Sequence, residues 1–350
     1  MEIVVLIRFG HGPSNMPQYA SQNLAGTTLK RLLVFFLNLL SIALLIVSLA
    51  AYFSSFNQVL EIICHLRILF AALALLLLLL TIPCKNLVAS SLAASALIAN
   101  LAVILPLYLP SQQASRTGSS ASANSDDLHK IRLMQFNLWG GKNKKYFAVV
   151  QTIIQTNPDV IVFSEITPIW LTALKAGLVN YPYMIAETTG GGIAIFSRIP
   201  LESKEIRFFS ALKRPRAVAK VKLASGHFTL IAAHPFIPLK NWPWRNDEFA
   251  VYAKEATEAG NTGPVVLAGD LNCTPWSSAF SKLLTDGNLV DTEQGFGPQP
   301  SWSKHHGITL LPIDHYLVSK DVTTLKRYTG DEIGSDHLPV VVDLEMRLKK

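Results

Sequence analysis

Three cysteines in 350 residues, Cys64, Cys84 and Cys273, stand far apart and without metal-ligand spacing. That excludes a disulfide framework and a thiolate zinc motif. Cys273 has no base beside it in sequence and reads as a small packed residue rather than a nucleophile. Charge is also scarce, at 16% of residues, and no internal repeat is present, which sets aside solenoid architectures. Where charge is missing altogether, long apolar runs take its place.

Residues 32–53 (LLVFFLNLLSIALLIVSLAAYF) carry no charge. At the helical rise they extend for about 33 Å, enough to cross a bilayer core. A second run covers 68–84 between Arg67 and Lys85, and a third covers 87–109 with Asn100 as its one strongly polar member. The first run starts too late and is too long for a signal peptide. The spacing predicts three transmembrane helices within 31–110, after a cytoplasmic segment 1–30. With almost no ionisable side chain to line a pathway, the three argue against a transporter or channel. Arg8, Lys30, Arg31 and Lys85 flank one side and Arg67 and Arg116 the other, which places the C-terminal part outside the cytoplasm of a multi-pass membrane protein.

Residues 111–129 (SQQASRTGSSASANSDDLH) have no apolar face to bury and read as a flexible linker. From 130 to 350 short strand-like runs dominate: IRLMQFNLW, DVIVFSEI at 159–166, GGIAIFSR at 191–198, VAKVKL at 218–223, FTLIAAH at 228–234 and VVLAGDLN at 265–272. Helices are expected at 146–156 and at 244–259, the latter because Phe249, Tyr252, Ala253 and Ala256 share a face. Many strands with few helices indicate an α/β two-sheet sandwich rather than a doubly wound parallel sheet. This part carries 25 Lys and Arg against 20 Asp and Glu, a mild excess suited to an anionic substrate or surface. The clusters Lys142/Lys144/Lys145 and Lys213/Arg214/Arg216 read as solvated faces.

Polar signatures sit beside the apolar runs. They are Gln135-Phe136-Asn137, Ser164-Glu165, Gly269-Asp270-Leu271-Asn272, Ile313-Asp314-His315 and Ser335-Asp336-His337, the last three next to VVLA (265–268), LLPI (310–313) and VVV (340–342) read as buried strands. Asp270 and Asn272, two apart in an extended segment, point to one side. Glu165 and Asp336 offer the oxygen ligands that a hard cation such as Mg²⁺ takes along with water and phosphate oxygens. His337 and His234, each at a strand end, suit proton transfer near neutral pH, with Asp314 as the partner of His337.

The order QFN, SE, GGIAIFSR, AAHP, GDLN, IDH, SDHLP over about 130–347 resembles the endonuclease/exonuclease/phosphatase superfamily, which includes DNase I-like nucleases, inositol polyphosphate phosphatases and neutral sphingomyelinases. The resemblance implies a DNase I-like sandwich with its site at one end and a Mg²⁺-dependent (or Mn²⁺-dependent) phosphoesterase. It implies Glu165 as metal ligand with Asn137 alongside and Asp336 assisting. Asp270 would orient or activate the attacking water, Asn272 would hold a phosphate oxygen, and His337 with Asp314 would form the catalytic dyad. His234 would bind the phosphate or protonate the leaving group, and Arg198 falls where the family often has an arginine. DNase-type members place a carboxylate behind the histidine equivalent to His234; Gly190-Gly191-Gly192 offers none here, and Glu187 is near but not at the matching place.

Together these readings predict a membrane-anchored phosphoesterase acting on a phosphodiester or phosphomonoester, with nucleic acid or a lipid head group as substrate and no protein partner evident. Trp139 beside the lysines, and Trp242, Trp244 and Arg245, suit nucleic acid weakly. Phe236, Ile237, Trp242 and Trp244 suit a bilayer surface equally. The alternative is a non-catalytic tethered scaffold on the same fold. Substrate choice is expected in loops 236–248 and 292–309.

Overall fold

A computed structural model describes residues 16–110, 128–209, 213–302 and 311–348. Four helices come first: α1 (Met16–Ala50), the short α2 (Gln58–Cys64), α3 (Arg67–Thr81) and α4 (Leu87–Ile104). The side chain of Asn57 accepts from the Leu60 amide to start α2, and that of Asn86 accepts from the Ala89 amide to start α4. Leu44, Phe70, Ala74 and Ala96 pack α1, α3 and α4 together, with small alanines allowing close approach. Arg67 is buried there, bonded to the Ser48 carbonyl and to Asn100 Oδ1, and its guanidinium lies 4.0 Å from the Tyr52 ring centroid. Leucines and phenylalanines such as Leu32, Phe35, Phe36 and Leu39 remain exposed on the outside.

Thr27–Phe53 and Leu87–Tyr108 are each long and apolar enough to cross a membrane. The expected middle span is shorter than 68–84: α3 has 15 residues and stops at Thr81, two before Pro83. It reaches only ~22 Å. It qualifies as a span only with α2, from which it is bent by 61°. The linker expected at 111–129 lies outside the described residues up to 127, and Leu128 and His129 already pair with Arg347 and Met346.

The rest is a sandwich of two six-stranded sheets. In chain order the strands are β1 (Leu128–Asn137), β2 (Val160–Ser164), β3 (Tyr183–Glu187), β4 (Ile193–Ser197), β5 (Leu201–Phe209), β6 (Arg214–Leu223), β7 (Gly226–Ala232), β8 (Val265–Asp270), β9 (Leu289–Asp291), β10 (Asp314–Ser319), β11 (Val322–Thr329) and β12 (Val340–Arg347). One sheet has the order β11-β12-β1-β2-β4-β3 and the other β5-β6-β7-β8-β10-β9. Both are mixed: β1 with β2 and β7 with β8 are parallel, and the other pairs are antiparallel. Helices α5 (Tyr146–Thr156) and α6 (Pro168–Gly177) cover the outer face of the first sheet, α7 (Pro238–Gly260) and α8 (Ser278–Asp286) that of the second.

Side-chain alternation builds the layers. Ile131, Leu133, Val160, Val162, Leu230, Ala232, Val266, Ala268, Tyr316, Val340 and Val342 meet between the sheets. Met134, Phe136, Ile161 and Phe163 face outward onto Val149, Ile153, Trp170 and Leu174 of α5 and α6.

Two local expectations are corrected. Of LLPI at 310–313, residue 310 lies outside the described residues and 311–313 are not the strand: β10 begins at Asp314 and pairs Asp314–Val318 against β8. The segment 236–248 is mostly helix rather than loop, since Pro238 opens α7 at its first position, where a missing amide costs nothing.

Candidate active site

Continuing the inward series by two residues puts polar groups where valines and alanines end. Gln135 and Asn137 follow Leu133, Ser164 follows Val162, His234 follows Ala232, and Asp270 follows Ala268. Strands β1, β2, β7 and β8 finish at this end of the sandwich; their antiparallel partners β10 and β12 start there, in the registers Asp314↔Asp270 and Val340↔Gln135. Asp270 and Asp314 are thus cross-strand neighbours, and Asp336 and His337 arrive just ahead of β12. Topology gathers segments that are two hundred residues apart.

Asp314 Oδ2 lies 2.7 Å from His337 Nδ1 and accepts from Ser301 Oγ, while Oδ1 accepts from Gln135 Nε2 at 2.9 Å. His337 Nε2 and His234 Nε2 are each 3.6 Å from Asp270 Oδ2. Asn137 Nδ2 donates to Asp270 Oδ2 at 2.9 Å and to Glu165 Oε1 at 3.2 Å. Asp270 Oδ1 accepts from the Asn272 backbone amide at 2.9 Å, and Asn272 Nδ2 donates to the Pro235 carbonyl at 3.1 Å. Trp302 Nε1 donates to Asp336 Oδ2 at 3.3 Å, and Asp336 Oδ1 is buried without a hydrogen-bond partner. Glu165, Asp270, Asn272, His234, His337, Asp336 and Trp139 all line one cavity of about 570 Å³.

The two histidines are driven apart. Burial alone would lower His337, but the charges of Asp314 and Asp270 and the bond to Asp314 hold it well above the ordinary range. His234 is pushed well below that range by burial and by the Arg214 charge. Behind His234, where the family resemblance leads one to look for a carboxylate, the Gly191 carbonyl lies 3.3 Å from Nδ1. A carbonyl only accepts, so Nδ1 carries the hydrogen and Nε2 keeps its lone pair. Glu187 takes no part there, as its Oε1 accepts from the amide and hydroxyl of Thr189. Asp314 is held low against its burial by His337, Ser301 and Gln135; Asp270 is raised by burial.

Several sequence readings change. Asn272 does not continue an extended strand: it has φ +50, and the chain turns back onto the Asp270 carboxylate. Glu165 (φ +58) and Trp139 (φ +60) are likewise left-handed residues just past their strands, a strained geometry typical of functional sites. Asn137 is not turned as an oxygen ligand. Its Oδ1 accepts from the Trp139 amide at 2.9 Å, so its donor side spaces the two carboxylates.

Arg198 is not brought to this end. It follows β4, which runs antiparallel to β2, so its amide bonds the Asp159 carbonyl at the far end of the sheet and its guanidinium lies 4.7 Å from the Tyr181 ring centroid. The arginine at the site is Arg214, read from sequence as solvated. It bonds the carbonyls of His234 and Pro235 and lines a cavity with Glu165 and His234. Its signal is positional: β6 starts where its antiparallel partner β7 ends. Ser301, which locks Asp314, had no sequence signal.

Residues 134–337 match the model described as the Endonuclease/Exonuclease/phosphatase family. The chain belongs to that family. Solved structures share the fold of its sandwich. One is the endonuclease/exonuclease/phosphatase from Bacteroides vulgatus, at 20% identity and TM-score 0.54, covering 63% of this chain and 100% of that one. Humanized D. rerio TDP2 follows at 17% and 0.53, with 61% and 98% covered. A Bacteroides thetaiotaomicron mannosyl-6-phosphatase stands at 18% and 0.53, with 61% and 99% covered. No curated protein matches the sequence. The family includes phosphoesterases, and the acidic groups gathered at this end suit a divalent cation.

Proposed function

We propose that the chain is a membrane-anchored, metal-dependent phosphoesterase whose catalytic sandwich lies outside the cytoplasm. The observation that carries this reading is the His337–Asp314 pair facing Asp270 inside one cavity with Glu165. The donor set fits a hard cation: Glu165 and Asp336 bring carboxylates to the cavity, and Asp336 Oδ1 is buried without a hydrogen-bond partner. Mg²⁺ or Mn²⁺ held by them would neutralise phosphate oxygens and the developing leaving group.

The protein's own groups divide the remaining work. Asp270, raised by burial, takes a proton from water as the water oxygen bonds to phosphorus. The P–O ester bond breaks, and the alcohol oxygen leaves with the proton of the His337 imidazolium, which Asp314 holds in place. His234, whose Nδ1–H is engaged by Gly191, presents Nε2 to the reacting centre. Asn272 and Trp139 shape the substrate wall. The apolar helices and the basic residues flanking them support the anchor and its sidedness.

The test uses the full chain in detergent on bis(p-nitrophenyl) phosphate and p-nitrophenyl phosphate, with Mg²⁺ and with chelator. Hydrolysis of at least one ester is expected, abolished by chelation and lowered ~10²–10⁴-fold by His337→Gln. Absence of turnover on both esters would leave only the scaffold.

A further inference from the structure

The catalytic sandwich is not merely tethered to the helices; it is docked on them. Glu61 of α2 meets Arg245 of α7, and both side chains are buried to 1% exposure or less. Ser277 Oγ donates to the same Glu61 carboxylate at 2.8 Å, and His65 Nδ1 lies 2.8 Å from Thr274 Oγ1. Gln58 Nε2 donates to the Pro238 carbonyl at 2.9 Å, and Ser54 Oγ lies 2.6 Å from Ser278 Oγ. On the other flank, the amides of Gly295 and Gly297 both donate to the Leu107 carbonyl, just past α4.

This docking gives the active site a wall from outside the sandwich. Ile62, His65 and Leu66 line the same cavity of about 570 Å³ as Asp270 and His337. Ile237 and Leu239, at the start of α7 that Gln58 of α2 bonds, enter the same lining and stay 51% and 60% exposed. Leu66 directly precedes α3, whose outward leucines Leu69, Leu73 and Leu76 continue the apolar surface away from the site. The cavity lining is therefore polar around Asp270 and His337 and apolar where Ile62, Leu66, Ile237 and Leu239 form it, next to the start of α3.

Resting on the phosphoesterase reading, we infer that the substrate is the phosphate head group of an amphiphile embedded in the bilayer, with α2 holding the site against the membrane surface. The phosphate reaches Asp270 and His337, while the first methylenes of the apolar chain lie on Ile62, Leu66, Ile237 and Leu239 and continue toward α3. Head groups lie just outside the hydrocarbon core, at the level where an apolar helix pair meets its polar cap. A soluble phosphate ester gains nothing from these apolar walls, and a nucleic-acid strand would set its charged backbone against them.

The full chain in phosphatidylcholine vesicles, with its metal, decides between them. Phosphatidic acid and phosphatidylglycerol in the same vesicles are compared with glycerol phosphate and glycerophosphoglycerol in solution, and with a single-stranded oligonucleotide. At least one vesicle-borne ester is expected to exceed its soluble counterpart, and the oligonucleotide, by about tenfold or more in kcat/KM. Ile237→Ser with Leu239→Ser, at exposed positions, is expected to cut that preference by about tenfold. Equal rates within each pair, or faster cleavage of the oligonucleotide, overturn the inference while leaving the phosphoesterase reading intact. If p-nitrophenyl esters and every member of the panel stay uncut, the phosphoesterase reading itself has failed and takes the inference with it.

Discussion

Among the described residues, three buried clusters bring two acids, or an acid and a thiol, within 4.8 Å of a histidine: Glu61 with Cys64 and His65, Asp291 with Glu293 and His315, and Asp270 with Asp314 and His337. The first two are closed by an arginine. Arg245 bonds Glu61, and Arg327 lies 3.9 Å from Glu293 while donating to the Asp314 carbonyl. Among the described residues the third has no guanidinium on its carboxylates, Arg327 reaching only the Asp314 main-chain carbonyl; the cation at those carboxylates is His337. Asp270 shares His337 with Asp314, while Glu165 and Asp336 have no ion pair among the described residues and line the same open cavity. A buried acidic cluster with its own guanidinium is a structural staple, whereas one without it is an invitation to an external cation and a phosphate.

Removing the arginine from a staple breaks this contrast most directly. Arg245→Leu leaves Glu61 buried and unpaired, and the expected loss is ~3–5 kcal/mol of unfolding free energy. Arg245→Leu combined with Glu61→Leu restores most of it, since an apolar pair of similar volume is nearly neutral there. Urea unfolding of the detergent-solubilised chain reads both; a double variant as unstable as the single one contradicts the assignment. The same operation on the site moves a different quantity. Asp314→Asn keeps its oxygen for Gln135 and turns its amide NH2 toward Ser301 Oγ, which then accepts, but no longer holds His337 charged, so kcat/KM on the generic ester falls ~10²–10³-fold, about 3–4 kcal/mol in barrier. Its unfolding midpoint changes little by comparison.

How far the sequence discloses this contrast depends on what sets each feature. Periodicity exposes the strands because the inward series Ile131, Leu133 and Val266, Ala268 must be apolar, and the same series extended by two names Gln135, Asn137 and Asp270. At Gly269, inside β8, a Cβ would stand 1.8 Å from the Ala233 carbonyl oxygen, so this close approach requires glycine. Strand direction is not written locally. Arg198 and Arg214 are both arginines at strand ends, and only the antiparallel pairing of β4 and β6 sends one away and brings the other in. The docking of α2 on α7 escapes sequence reading because Glu61 and Arg245 are 184 positions apart and neither sits in a pattern.

Cation binding sharpens the contrast at a smaller scale. Mg²⁺ or Mn²⁺ at a hundred times its dissociation constant should raise unfolding free energy by ~2.7 kcal/mol in the wild type. Glu165→Gln with Asp336→Asn should lose that gain, while the Arg245→Leu and Glu61→Leu pair should keep it. Thermal unfolding with and without the ion measures it, and an equal gain in all three would place the ion elsewhere.

Glu248 is the intermediate case: fully buried, with no guanidinium bonded to it and away from the catalytic cavity. Its Oε2 accepts from the Phe236 amide at 2.8 Å and its Oε1 from the Tyr252 hydroxyl at 3.2 Å. Burial raises it from an ordinary 4.5 to about 7, outweighing the Phe236 bond and the charge of Arg214. Because the folded state binds this proton more tightly than the unfolded one, its contribution to stability is complete below 4.5 and is lost as pH rises through about 7. Gln at this position keeps both partners, accepting from Phe236 and donating to Tyr252, and never ionises. Glu248→Gln should therefore match the wild type near pH 4 and exceed it near pH 9 by up to roughly 3 kcal/mol. Equal stability curves at both ends would mean that Arg214 and Arg216 already serve Glu248 as Arg245 serves Glu61, and the rule separating staples from sites would have to rest on solvent access rather than on the missing cation.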